Sequence, residues 1–599
     1  MKLTTSTFLF LLFLTVATLQ AQDKKRIIIN HPGQFTKDET KYPGADIMSK
    51  TDQQVQFEHD GMDLWCDLAV FYRKENRIRA FGNVFFQQGD SIKMNSEYAE
   101  YDANTKIAVS SKQVELRNNT MTLNTEEIRF DRNQQIAFYD TFGTVKDSAN
   151  TLTSNQGKYY LEINKYEFKS DVHITNPDYE INSSRLDYYT DSKNAYMYGP
   201  STITGNDYKI YCERGYYNTT AENGYGVKNT RIDYDNRIIY GDSLYFDKAT
   251  EFASATNNIK VIDTVNKGVV RGHYAEVYKA KDSMFVTKRA LAITLMEKDS
   301  MYIHGDTLMV TGKENERVIK AFRDARFYKT DMSGKCDSIH SDQATGITKL
   351  ITTIPPNIPE NLYAKYRPVL WNGESQMTGD SIHILSNVET EKLDSLKVLN
   401  DAFIIQKDSL SHITFKDSAK FGFNQIKGKD LYGIFKDNKM DYIDIVKNAE
   451  LIYYLWNDDE EEREFMGIDK RVCGRIRFNM IENQIDNITS YNNVDGNIFR
   501  DEDIPVNGRK FRGFYWRGDE MIRSVDDLFS AEDNAIELVK INGVDQPIDI
   551  DNPNLAPDEG SDSEQQEQNE DEKEKNEGVV NNKGNLPKEP QHPGSEKKE

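Results

Sequence analysis

From residue 60 to residue 500, apolar and polar positions alternate with a period of two, and helical spacing is absent. The stretch "YGDSLYFDKATEFASATNNIKVID", residues 240–263, shows the unit. Leu244 and Phe246 share one face, because strand side chains point to alternate sides. "DKAT" turns the chain, and "NNIKVI" opens a second strand. Taking Gly241 as an anchor, an apolar residue follows at plus three and an aromatic at plus five. The same arrangement is anchored at Cys66, Ser96, Thr125, Ser154, Ser183, Cys212, Gly272, Gly305, Cys336, Gly379, Gly428 and Cys473. Spacings between successive anchors are 30, then 29 five times, then 31, 33, 31, 43, 49 and 45. A fixed period of this kind marks a repeat architecture.

A second apolar element recurs late in each copy, as in "GNVFF" at Val84, "SDVHI" at Val172, "NNIKV" at Ile259 and "KNAEL" at Ala449. Each copy therefore supplies at least two strands. The residue two before the anchor is also apolar (Leu64, Met94, Leu123, Leu152, Ile181, Ile210, Ile239), with parity opposite to plus three. The chain must bend or bulge at the anchor, where small residues fit. One face per strand is buried, which favours antiparallel pairing. A single copy cannot cover its apolar face, so copies stack on a continuous core into a long rod with open sheet edges at its ends.

Composition refines this picture. The 33 Tyr and 29 Phe favour pleated structure. Residues 1–21 read as a signal peptide: Lys2, then the apolar "FLFLLFLTVATL", then cleavage after Ala21. An exported chain with four cysteines suggests disulfides. Here all four, Cys66, Cys212, Cys336 and Cys473, occupy anchors several copies apart, beyond disulfide reach, so no intrachain bridge is expected. Residues 22–60 form an N-terminal lead or cap, 61–335 the regular repeats, and 336–500 diverged repeats with loop insertions such as "TTIPPNIPENLYAKYRP". Residues 501–545 read as a C-terminal cap with a short helix over 524–541 that starts at Ser524. Residues 546–599 are an acidic disordered tail. The net charge of −22 and the lack of a basic patch argue against nucleic acid as a partner.

No catalytic, metal-binding or cofactor motif emerges. Asp or Glu follows the anchor in eight copies (Asp67, Glu97, Glu126, Glu213, Asp242, Asp306, Asp337, Asp380). Such a column could bind cations or perform acid–base work, but solvated edge or turn residues are the favoured reading. No enzyme, cofactor or metal is expected.

The segment "LAVFYRKENRIRAFGNVFFQQGDSIKMNSEYAEYD", residues 68–102, resembles the organic-solvent-tolerance (OstA-like) family, which includes the periplasmic lipopolysaccharide transport protein LptA and the N-terminal domain of LptD. Ala69 and Phe71 match its first strand, Ala80, Gly82, Asn83 and Val84 its second, and Ser96, Ala99, Tyr101 and Asp102 its third. The resemblance implies an all-β fold: an extended antiparallel β-jellyroll, two sheets in an open V, here with about thirteen repeats. It also implies a periplasmic protein, free or associated with the outer membrane, that binds lipopolysaccharide, shields its acyl chains between the membranes, and meets other transport components or further copies of itself through sheet edges at its ends. The implied groove lining is Ala69, Phe71, Ala99, Tyr101, Ile128, Phe130, Tyr159, Leu186, Tyr188, Tyr217, Leu244, Phe246 and Val277. Two alternatives stand beside it: a structural scaffold or surface adhesin with a closed core, and a polysaccharide-active solenoid enzyme. The chain has too few residues after 500 for the large barrel of LptD.

Overall fold

The computed structural model describes residues 26–541 apart from 266, 297–298, 314–315, 360–361, 391, 458–462 and 483. The expected leader and acidic tail lie outside the described residues. Among the described residues, thirty-eight strands, from Ile28–His31 to Asp495–Phe499, join in one hydrogen-bonded sheet, and the pairings are antiparallel.

Typical strands carry an anchor near their middle, as in Ile92–Asp102, Tyr179–Tyr189 and Arg237–Asp247. In Tyr179–Tyr189 the buried residues include Ile181, Ser183, Leu186 and Tyr188, so the inward parity flips just after the anchor. The register explains the flip. Val84 pairs with Ser96 and Phe81 with Tyr98, leaving Gly82 and Asn83 opposite Glu97 alone. This two-against-one arrangement is a bulge. The same slip recurs between Val227 and Thr230, Thr256 and Ile259, Phe322 and Ala325, Leu399 and Ala402, and Val446 and Ala449. The skipped pairs (Lys228–Asn229, Asn257–Asn258, Arg323–Asp324, Asn400–Asp401, Lys447–Asn448) all have positive φ. Asn and Asp tolerate that region best among residues with a side chain. The bend thus sits at the anchor's level, but the left-handed backbone lies on the facing strand.

The carboxylates that follow the anchors tie these corners together. Asp67 accepts from Asn83 (2.7 Å), Glu213 from Asn229 (2.6 Å) and Asp242 from Asn258 (2.9 Å). Their place is structural, and being exposed, each is worth less than about 1 kcal/mol.

The bends divide the sheet into a leading wall, made of segments before the anchors, and a trailing wall, made of segments after them. In places the strand breaks outright: Gly268–Tyr278 pairs with Ser283–Thr287 through its trailing half and with Leu291–Leu295 through its leading half. The walls face one another. Phe86 meets Phe130 across them at 6.0 Å between ring centroids, and Tyr179 meets Tyr217 at 5.2 Å. A continuous apolar core runs between the walls from Ile27 to Phe478. This is the antiparallel β-jellyroll. The four cysteines lie at the bends as free, buried thiols, and burial pushes Cys66 and Cys212 up to about 12.

Past the last strand the expected helix over 524–541 shrinks to one turn, Ala531–Asn534, capped by Ser530 rather than Ser524. "DDLF" ahead of it forms only a 3-10 turn. Residues 501–541 first pack on the last strands, where Ile504 is buried with Ile452, Tyr454 and Ile468. They then run back over the outer surface of the leading wall to Asn257.

Candidate functional site

The interior between the walls changes character along the chain, and the plus-five position controls the change. In copies two to seven this residue is Tyr101, Phe130, Tyr159, Tyr188, Tyr217 and Phe246. In copies eight to eleven it is Val277, Val310, Ser341 and Ile384. An aromatic side chain fills far more space than valine or serine, so the interior is filled in the first stretch and hollow in the second.

In the filled stretch, Ala69, Phe71, Ala99, Tyr101, Ile128, Phe130, Tyr159, Leu186, Tyr188, Tyr217 and Leu244 all face inward, each 3% exposed or less. Phe246 and Val277 face inward but are half-buried. The tyrosine rings sit in the core while their hydroxyls reach a polar seam across the free ends of the walls. Tyr101 Oη bonds His59 Nδ1 (2.7 Å) and accepts from Arg132 (3.0 Å). Arg132 continues to Gln88, and Gln88 to Gln135. Tyr159 Oη accepts from Asn118 (2.5 Å) and donates to Asn164 (3.1 Å), which bonds Asp191. Burial pushes the Tyr188 hydroxyl up to about 12, so it stays neutral and hydrogen-bonding beside Asp147 and Thr219. A depression of about 370 Å³ along this seam is lined by Gln88, Asn118, Gln135, Tyr159 and Asn164. Its polar groups pair with one another, so the seam closes the V here.

Downstream lies a cavity of about 390 Å³, within the size range of small-ligand sites. Its apolar lining includes Val261, Val270, Met284, Ala292, Met301, Val310, Ile319, Phe327, Met332 and Ile384. The mouth carries Arg237, Lys267, Arg317 and Lys329 beside Asp263, Asp282 and Asp342. Three exposed apolar residues, Val265, Leu295 and Val388, rim it as well. The lining contains none of the thirteen residues expected for a groove, since those are concentrated where aromatics fill the interior. The signal that locates the cavity is the shrinking plus-five column. The rim carries both signs of charge, with Arg317 paired to Asp263 (3.8 Å) and Lys329 to Asp331 (2.9 Å), and an apolar chamber with such a rim suits an amphiphile with a polar head. Among the described residues, no group of three or more His, Cys, Asp or Glu could hold a metal ion, and no helix is long and apolar enough to cross a membrane.

Residues 24–184 match the family model described as OstA-like protein. That segment is OstA-like. It coincides with the first, filled copies, and the cavity lies beyond its end. One solved structure similar to the chain is the crystal structure of LptH from Pseudomonas aeruginosa, described as the LptA homologous periplasmic component of the conserved lipopolysaccharide transport device. The likeness is 15% in identity, covers 16% of this chain and 76% of that one, and has a TM-score of 0.16. No curated protein matches the chain. The OstA-like segment begins at the short strands Ile28–His31 and Gln34–Thr36, which, among the described residues, pair on one side only.

Proposed function

We propose that this protein is a periplasmic lipopolysaccharide-binding transport component whose β-jellyroll shields acyl chains between the inner and outer membranes during outer-membrane assembly. The observation that carries the reading is the apolar cavity with its charged rim, downstream of an OstA-like segment. At about 24 cal/mol per Å³, a dry void of 390 Å³ would cost roughly 9 kcal/mol. That rivals the whole stability of a typical domain, about 5–15 kcal/mol. The cavity therefore holds water against apolar walls or an apolar guest, and the guest is the more favourable occupant. Arg237 and Lys267 then sit where an anionic head group would emerge, with Arg317 paired to Asp263 (3.8 Å), despite the chain's net charge of −22.

Partner components would dock on the open strand edges. At one end these are Ile28–His31 and Gln34–Thr36, with exposed Ile28 and Phe35. At the other they are Gln484–Tyr491 and Asp495–Phe499, with exposed Tyr491 and Ile498. Such edges present unpaired backbone groups that recruit further strands, so end-to-end self-association belongs to the same reading. A second reading, a structural scaffold, is favoured by one observation: the polar seam joins the walls over Tyr101, Tyr159 and Tyr188.

Native mass spectrometry and lipid extraction of protein purified from the periplasm decide between them. Co-purified lipopolysaccharide supports transport. A lipid-free protein that also excludes a fluorescent fatty acid overturns it in favour of the scaffold.

A further inference from the structure

The returning segment, residues 509–539, crosses the leading wall's outer surface against the order of the repeats. Three buried side-chain amides hold its backbone. Gln425 accepts from Phe511 N (2.9 Å) and donates to Arg509 O (2.8 Å). Gln376 accepts from Arg517 N (2.6 Å) and donates to Tyr515 O (2.8 Å). Asn257 accepts from Val539 N (3.0 Å) and donates to Val539 O (2.7 Å). Between these points Ile522 and Leu528 are buried against Leu291, with Ile293, Tyr302 and Tyr328 packed around them. The Arg289 guanidinium lies 4.2 Å from the Phe529 ring centroid, and Arg326 donates to Leu528 O (3.1 Å). Main-chain bonds for affinity and apolar pockets for selectivity are how protein surfaces read extended peptides.

The same strands line the cavity on their other face. In Leu291–Leu295, Leu291 lies under the segment and Ala292 lines the cavity. In Ser300–His304, Tyr302 and Met301 divide in the same way, as do Tyr328 and Phe327 in Val318–Lys329. One sheet thickness therefore separates the segment from the cavity.

We propose that this outer surface is a docking site for an extended peptide, that residues 509–539 are its resident ligand, and that its occupancy sets how widely the cavity opens. The last element rests on the cavity being a ligand site. The test uses the full chain carrying Asn257→Ala, Gln376→Ala and Gln425→Ala together. A second variant, Leu528→Asp, leaves every sheet residue intact. Hydrogen exchange reports on residues 509–539, and dansyl-labelled undecanoic acid probes the cavity. Both variants should exchange the segment's amides at least tenfold faster, with Ile92–Asp102 unchanged, and should take up the probe about tenfold faster. Unchanged exchange in the segment of both variants overturns the docking site. Faster exchange with unaltered probe uptake overturns the coupling. Faster exchange with no probe binding to either variant or the parent supports the docking site and overturns the ligand reading of the cavity together with the coupling.

Discussion

Replacing Val310 by Phe should make the protein more stable and less able to take a ligand. Val310 is the plus-five residue of copy nine, half-buried on the cavity wall, where Phe130 and Phe246 stand in their own copies. A buried aromatic side chain removes about 200 Å² from water. At about 25 cal/mol per Å² that is worth about 5 kcal/mol, against about 2 kcal/mol for the valine it replaces. Denatured chains already bury part of that surface, so a gain of about 2 kcal/mol is expected. One pKa unit, or tenfold, corresponds to 1.36 kcal/mol, so amides of Ser283–Thr287 and Thr307–Thr311 should exchange about 30-fold more slowly. Binding of a dansyl-labelled fatty acid should weaken by at least tenfold in the same protein. Overpacking a full core does the opposite and costs about 1–3 kcal/mol. Faster exchange with unaltered probe binding would refute the reasoning, because it would mean that the space at Val310 is not the space a ligand uses.

Leu186→Ala, in the sealed stretch, should destabilise its neighbourhood by about 2–5 kcal/mol and leave probe binding unchanged; a loss below about 1 kcal/mol would contradict a sealed interior. Asn258→Val forces a branched side chain to φ 48 and removes the bond to Asp242, so a cost of about 1–3 kcal/mol is expected by denaturant titration, with Asn258→Gly much milder. Acid should release the returning segment. Burial raises Glu520, but its hydrogen bond and charge interaction with Arg517, then Lys335, outweigh this and hold it below the usual range; Lys420 and Arg509 do the same for Asp501. Groups depressed in the folded state lend stability above the unfolded carboxylate range, about pH 4, and lose it as pH falls through their folded values. Exchange over 509–539 should therefore rise below about pH 4 ahead of the apolar walls, and parallel loss of both would exclude this origin.

The repeat was legible because it is local. A period of two and anchors spaced by 29 residues need no knowledge of the fold, and the parity flip at Leu64 and Ala69 marks a bend from sequence alone. The facing dipeptides, such as Lys228–Asn229 and Asn257–Asn258, do not stand out in the pattern, where Asn257 and Asn258 read as the start of a strand, and only the register shows that they carry the left-handed backbone. The returning segment was beyond reach for a different reason. Its amide partners lie 86, 141 and 282 residues away in the chain, and a glutamine that binds distant backbone looks like any other glutamine.

The cavity falls between these cases. Reading the plus-five residues as one inward column is correct for every copy from Phe71 to Val277, yet it treats Tyr188 and Val277 as equivalent rungs. Inward orientation is set by parity, whereas filling is set by volume, and the two properties separate after Phe246. Upstream, Tyr101, Tyr159 and Tyr188 both fill the gap and supply hydroxyls that join the seam, whereas Phe130 and Phe246 only fill it. Loss of the aromatic ring in copies eight to eleven removes both functions at once, which explains why the hollow interior and the open, apolar-rimmed mouth occur over the same repeats.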